Sequence, residues 1–271
     1  MMKSRTEAPY VGSASRGSEL HRFLNLLWAL VIRELKGRYR RSILGPAWAI
    51  LQPLLYMLIF TFIRGVLNIS SEGVPYVIFT YSALVPWTFF SNAVSWCGPS
   101  IIGNGGILKK VAIAREVFPA ASVMTSLVDL LIASVILIAM MIGFKVPVGW
   151  SLLWWPVLVM MTTLLALGIG LGVAALGTFK RDIIFAVPFV MQFWLLATPI
   201  LYPLGKVPEK WHLLYTLNPM VGLVEGFRSV MIKGLPPDLG LLSISLLGIV
   251  LVWLGAWPLF RYLSQYFADV L

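Results

Sequence analysis

Six apolar stretches dominate the chain, at about residues 46–63, 74–95, 117–143, 152–178, 183–202 and 241–262. A helix needs about 20 mostly apolar residues to cross roughly 30 Å of hydrocarbon. Lipid offers no partner to an open backbone, so such stretches cross as helices. The sequence therefore predicts an all-α integral membrane protein with six transmembrane helices per protomer. Only 12% of its 271 residues are charged, against roughly 25% in soluble domains. The connecting segments leave no room for a sizeable soluble domain, so residues 43–271 read as one transmembrane body.

Proline and glycine punctuate the pattern. Pro46 suits the first turn of the first span, and Pro53 and Pro86 fall inside the first two. The segment from Gly98 to Arg115 breaks the apolar run, and about residues 107–115 form a short amphipathic helix carrying Lys109 and Lys110. Between residues 203 and 240 the apolar pieces are too short to cross and are broken by Pro208, Pro219, Pro236 and Pro237. Pieces of about 10–14 residues suit re-entrant or interfacial helices. In the fourth span, Gly168, Gly170, Gly172 and Ala174 mark a face for close helix packing.

The net charge is +10. In a soluble chain that would suggest nucleic acid. In a membrane protein it follows from the bias of Lys and Arg toward cytoplasmic segments, and no nucleic-acid partner is expected. Placing both termini inside puts fifteen Lys and Arg on the cytoplasmic side and six outside. The re-entrant stretch then faces outward. Residues 1–18 are polar, lack the apolar core of a secretory signal, and read as a disordered cytoplasmic tail.

Catalytic chemistry is not legible. There is no G-x-x-x-x-G-K-[ST] phosphate loop, no H-E-x-x-H and no G-x-S-x-G. His21 and His212 fall on opposite expected sides. The single cysteine, Cys97, excludes a disulfide framework and a multi-cysteine metal site, and its apolar setting gives it a packing role. No catalytic set and no metal set is assigned, and the chain is not read as an enzyme. Asp129 stands midway along the third span. It reads either as a proton relay or substrate contact, or as a hydrogen-bonded structural group facing another helix. No other span carries a matching acid or base, which favours the structural role.

Residues 19–42 precede the first span as an amphipathic interface helix. Leu20, Phe23, Leu24, Leu27, Leu30 and Val31 form one apolar face. Arg33, Lys36, Arg38, Arg40 and Arg41 make its end a cationic collar. Two readings stand here. The collar anchors the helix to anionic lipid, or its forked arginines recognise a phosphate-bearing substrate.

The run Arg33-Glu34-Leu35-Lys36, then Arg38-Tyr39-Arg40 and Ser42-Ile43-Leu44-Gly45-Pro46-Ala47-Trp48, leading to Gln52-Pro53-Leu54, resembles the start of type-2 ABC exporter permeases. The closest class exports O-antigen and related polysaccharides. Leu108-Lys109-Lys110 with Arg115-Glu116-Val117-Phe118-Pro119, Arg181-Asp182-Ile183, Thr198-Pro199-Ile200-Leu201-Tyr202-Pro203, Asn218-Pro219-Met220 and Glu225-Gly226-Phe227-Arg228 extend the resemblance over about residues 20–265.

The resemblance implies a homodimer in the bacterial cytoplasmic (inner) membrane, joined by two copies of a separate ABC ATPase that binds ATP and Mg. This chain itself would hold no cofactor. Leu108, Lys109, Lys110 and Arg115 would couple to that ATPase. Arg33, Lys36, Arg38, Arg40 and Arg41 would meet the pyrophosphate of a lipid-linked polysaccharide. Tyr81, Trp87, Phe89, Phe90, Trp96 and Trp194 are channel-lining candidates, each equally open to a lipid-facing role. Glu225 and Arg228, three apart, suit an ion pair fixing the outer helices. Teichoic acid, capsule, drug or lipid are alternative cargoes. A polyprenyl-processing enzyme would need clustered carboxylates or histidines, whereas Asp129, Asp182 and Glu116 are scattered.

Overall fold

A computed structural model describes residues 16–40, 42–67, 73–109, 113–146 and 149–271. Every regular element among them is helical. The elements are α1 (Arg16–Tyr39), α2 (Trp48–Leu67), α3 (Tyr76–Ser100), α4 (Gly105–Leu108), α5 (Val117–Gly143), α6 (Trp155–Phe179), α7 (Arg181–Leu196), α8 (Glu209–Thr216), α9 (Pro219–Arg228), α10 (Leu239–Ser264) and α11 (Phe267–Val270).

The buried centre is α3. It packs against α2, α5, α6, α7 and α9. Ile78, Tyr81, Leu84, Phe90, Ala93, Val94 and Cys97 on it have no exposed surface. A helix apolar on every side must be buried all round or face lipid, and α3 takes the first course. On α2 and α10 the apolar side chains instead point outward, among them Leu58, Phe62, Leu247, Leu251 and Leu254. So much contiguous apolar surface is incompatible with water and belongs against acyl chains.

Among the described residues, five helices, within Gly45–Val66, Tyr76–Ser100, Val117–Gly143, Trp150–Phe179 and Leu239–Ser264, are long and apolar enough to span a bilayer. The protein is thus a multi-pass membrane protein. The stretch expected as the fifth of six spans, 183–202, is helical only as α7. Its 16 residues give about 24 Å at 1.5 Å per residue. Turns from Ala197 to Tyr202 complete the segment.

The small residues of α6 serve two neighbours rather than one. A Cβ on Gly168 would stand 2.9 Å from Val252 on α10, and one on Gly170 would stand 2.5 Å from the Cys97 Sγ on α3. The rows 168/172 and 170/174 therefore let two helix backbones close on α6 at once. Cys97 is buried there, its thiol donating to the Pro119 carbonyl at 3.4 Å.

Two boundaries differ from the sequence reading. Helix α1 begins at Arg16, so residues 16–18 belong to it rather than to a tail; residues 1–15 lie outside the described residues. The helix expected over 107–115 is α4, which starts and ends earlier. Residues 113–116 are not helical, because Leu108 and Ile113 both turn into a cluster with Phe260 and Phe267. Residues 110–112 are not described.

Candidate functional site

The collar does not stand free of the bundle. Leu30 and Val31 of α1 are buried in one cluster with Phe118 and Ala121 of α5. Beyond that apolar contact, α5 carries Ser122, Ser126 and Asp129 at helical spacing, so one polar stripe meets α1. Ser122 donates to the Glu34 carboxylate at 3.2 Å. Arg38 reaches the Asp129 carboxylate at 2.7 Å and Glu34 at 3.4 Å. The Tyr39 hydroxyl donates to the other Asp129 oxygen. These pairings advance together along both helices, so α1 runs beside α5 in the same direction.

Asp129 therefore has its counter-ion, but from the helix before the first span rather than from another span. The expectation of an isolated carboxylate gives way to a partnered one. Both side chains of the pair are about nine-tenths buried, at 11% and 12% exposure. Trp96 completes the setting, its ring centre 4.6 Å from the Arg38 guanidinium. Burial pushes the Glu34 carboxyl above its ordinary value, partly offset by Arg38, Ser122 and Arg33. Burial and the Asp129 carboxylate likewise raise the Tyr39 hydroxyl. Tyr39 remains a neutral donor in any physiological range.

The cations of the collar fall into different settings. Arg38 is matched by Asp129. Arg33 donates to the Asn104 side chain beside α4. Lys36 and Arg40 are exposed and, with Leu35 and Tyr39, line a recess of about 670 Å³. Arg41 lies outside the described residues.

The segment around α4 divides its side chains by face. Leu108 packs inward against the cluster that holds Phe260 and Phe267, while Lys109 is exposed. Arg115 lines a cleft of about 470 Å³ with Glu116, Arg261 and Ser264. Lys110 lies outside the described residues. The same cluster contains Leu30 and Val31 of α1, so the collar and the α4 segment share one packed unit.

The aromatic candidates separate. Tyr81 and Phe89 are buried within the core, and the Tyr81 hydroxyl donates to Ala133 at 3.3 Å. Trp87, Phe90 and Trp194 form one group, with Phe90 and Trp194 edge-to-face at 5.2 Å. The Trp194 indole donates to Asn218 at 2.9 Å. Trp87 and Trp96 also line a cleft of about 330 Å³ between α2, α3 and α7, together with Gln52, Tyr56, Thr88, Ser91, Asn92, Ser95 and Gln192. There Asn92 donates to Gln52 at 3.0 Å. Amides and hydroxyls beside aromatic faces can bind polar rings. The sequence signal for this cleft was Thr88, Ser91, Asn92 and Ser95 at helical spacing inside an apolar span, which the aromatic residues overshadowed.

At the opposite end, Glu225 and Arg228 lie 2.7 Å apart. Arg228 has no exposed surface. It donates to the carbonyls of Pro199 at 2.5 Å and Ile200 at 2.6 Å, and its guanidinium lies 3.8 Å from the Phe79 ring centre. It thereby ties α9 to the turn after α7.

The arrangement pairs a membrane bundle with a cationic helix end, an exposed basic turn and a polar-aromatic cleft. Comparison with known proteins agrees with it. The chain is 29% identical over 255 residues to the O-antigen export system permease protein RfbA of Myxococcus xanthus, covering 93% of this chain and 97% of that protein. It is 28% identical over 249 residues to RfbA of Klebsiella pneumoniae, covering 91% and 95%. It is 24% identical over 221 residues to the polysialic acid transport protein KpsM of Escherichia coli, covering 76% and 81%. The ABC-2 type transporter profile matches residues 25–232, most of the chain. The chain belongs to the ABC-2 type transporter family.

Proposed function

We propose that this chain is the membrane subunit of an ATP-driven exporter that moves a lipid-linked polysaccharide across the bacterial cytoplasmic membrane. The observation that carries this reading is similarity along more than nine-tenths of the chain to permeases named for O-antigen export. The chain acts as a homodimer with two copies of a separate ATPase, which holds ATP and Mg. Six spans cross, α7 with the turns to Tyr202 being the fifth, and both termini are cytoplasmic. Helices α8 and α9 re-enter from the outer side.

Physical support comes from the sharing of one packed cluster by the α4 segment and the collar. When the ATPase dimer closes, it presses on Lys109, Lys110 and Arg115. Leu108 passes the displacement into the cluster, and α1 moves with it. Packed interfaces switch between discrete arrangements rather than deforming continuously. Lys36, Arg40 and their neighbours receive the pyrophosphate end of the substrate, for which forked and paired cations suit phosphate oxygens. The sugar chain follows over the polar-aromatic cleft around Trp87 and Trp96.

A second cargo is favoured by one observation, the similarity to proteins named for polysialic acid transport. The lower identity and shorter coverage place it behind O-antigen. Deleting the gene and profiling surface glycans tests the reading. Loss of one surface polysaccharide with its lipid-linked precursor retained inside is expected. An unchanged surface, or loss of an unrelated solute flux, overturns it.

A further inference from the structure

A cationic recess beside a membrane faces a selectivity problem. The cytoplasmic leaflet is itself anionic, and each exposed Lys or Arg attracts its lipids. Lys36 and Arg40 are exposed at the recess, so any lipid phosphodiester can meet them. Such contacts are solvated and weak. Arg38 differs, because its guanidinium is turned away onto Asp129 at 2.7 Å. Tyr39 forms one wall of the recess and at the same time donates to Asp129.

Resting on the headgroup reading of the collar, we propose that Asp129 is a specificity-determining residue. It withholds Arg38 and Tyr39 from singly charged lipid phosphates and yields them only to a diphosphate. A phosphodiester brings one charge. To capture Arg38 it would have to replace the Asp129 carboxylate and leave that carboxylate buried with Tyr39 alone, an exchange that gains no net pairing. A diphosphate brings a second phosphoryl group. One phosphoryl stays on Lys36 and Arg40 while the other competes for Arg38, adding charge-assisted bonds that the phosphodiester cannot make. The carboxylate thus acts against the wrong ligand rather than for the right one. No bond is made or broken covalently.

The test uses the chain purified with its ATPase in nanodiscs of phosphatidylcholine, with and without phosphatidylglycerol. The probe is radiolabelled undecaprenyl diphosphate. Wild type is expected to bind it almost equally in both membranes. Asp129→Asn keeps hydrogen-bonding atoms for Arg38 and Tyr39 but lowers the barrier to any phosphate. Its affinity is expected to fall by about tenfold or more when phosphatidylglycerol is present, and Asp129→Glu is expected to restore resistance. Equal sensitivity of wild type and Asp129→Asn to phosphatidylglycerol overturns the assignment of Asp129. Should Lys36→Ala/Arg40→Ala leave binding intact, the recess is not the headgroup site, and the collar reading falls together with the proposal. Should that double variant abolish binding while Asp129→Asn stays resistant, only the role of Asp129 falls.

Discussion

Arg38 and Asp129, 91 positions apart in sequence, meet at 2.7 Å where the last turn of α1 lies against the middle of α5. Asp129 stands about 18 Å along α5 from its first residue, at 1.5 Å per residue. The contact therefore fixes the depth at which the collar helix sits.

Removing one partner of a buried pair leaves a charge uncompensated, at a cost on the order of 3 kcal/mol. Asp129→Ala should lower the thermal midpoint in detergent by several degrees. Arg38→Met combined with Asp129→Leu should recover part of that loss, because neither member of the pair is left uncompensated, while Glu34 loses its 3.4 Å contact with Arg38. Equal damage in the double and single variants would show that the two side chains are not coupled.

Glu34 carries a pH signature. Burial raises its carboxyl above the ordinary 4.5, so its folded form favours the proton. Stability from such a group is present below the unfolded value and is lost as pH rises through the folded value. Glu34→Gln, which keeps a hydrogen-bond acceptor for Ser122, should match wild type in acid and equal or exceed it at neutral pH. Thermal unfolding across that range checks the sign.

Arg228 donates to two carbonyls and to Glu225, with Phe79 against its guanidinium. A lysine supplies one ammonium in place of a planar fork. Arg228→Lys should therefore destabilise nearly as much as Arg228→Met. Both should expose the turn at Pro199 and Ile200 to faster hydrogen exchange, while α5 and α6 keep their protection.

Gly170 lies where a Cβ would press on the Cys97 Sγ at 2.5 Å. Overpacking of this kind costs about 1–3 kcal/mol. Gly170→Ala should lower the unfolding temperature, and adding Cys97→Ala should return part of it. In wild type, the buried thiol should resist maleimide until the protein unfolds, and Gly170→Ala should shorten that delay.

Much of this architecture was legible from hydropathy alone, because lipid forces a helix wherever a chain crosses it. Spans at α2, α3, α5, α6 and α10 follow the apolar runs closely. What the sequence hid was pairing. Asp129 looked isolated because its partners, Arg38 and Tyr39, sit in a segment read as lying flat on the membrane rather than leaning on α5. The two glycine rows of α6 looked like one face, since residues two apart share a run but not a side of the helix. The polar cleft around Gln52 and Asn92 was obscured for a different reason. Thr88, Ser91, Asn92 and Ser95 recur at helical spacing on α3, but Gln52 stands alone on α2, and the two halves meet only in the fold.

In the proposed function this chain is a conduit driven by a separate motor. The direct measurement is ATP-dependent transfer of a fluorescent lipid-linked glycan across proteoliposomes containing the chain, its ATPase, or both. Transfer only with both present, abolished when Lys109, Lys110 and Arg115 are replaced by alanine, is expected. ATP hydrolysis by the isolated chain, or glycan transfer without the ATPase, would contradict it.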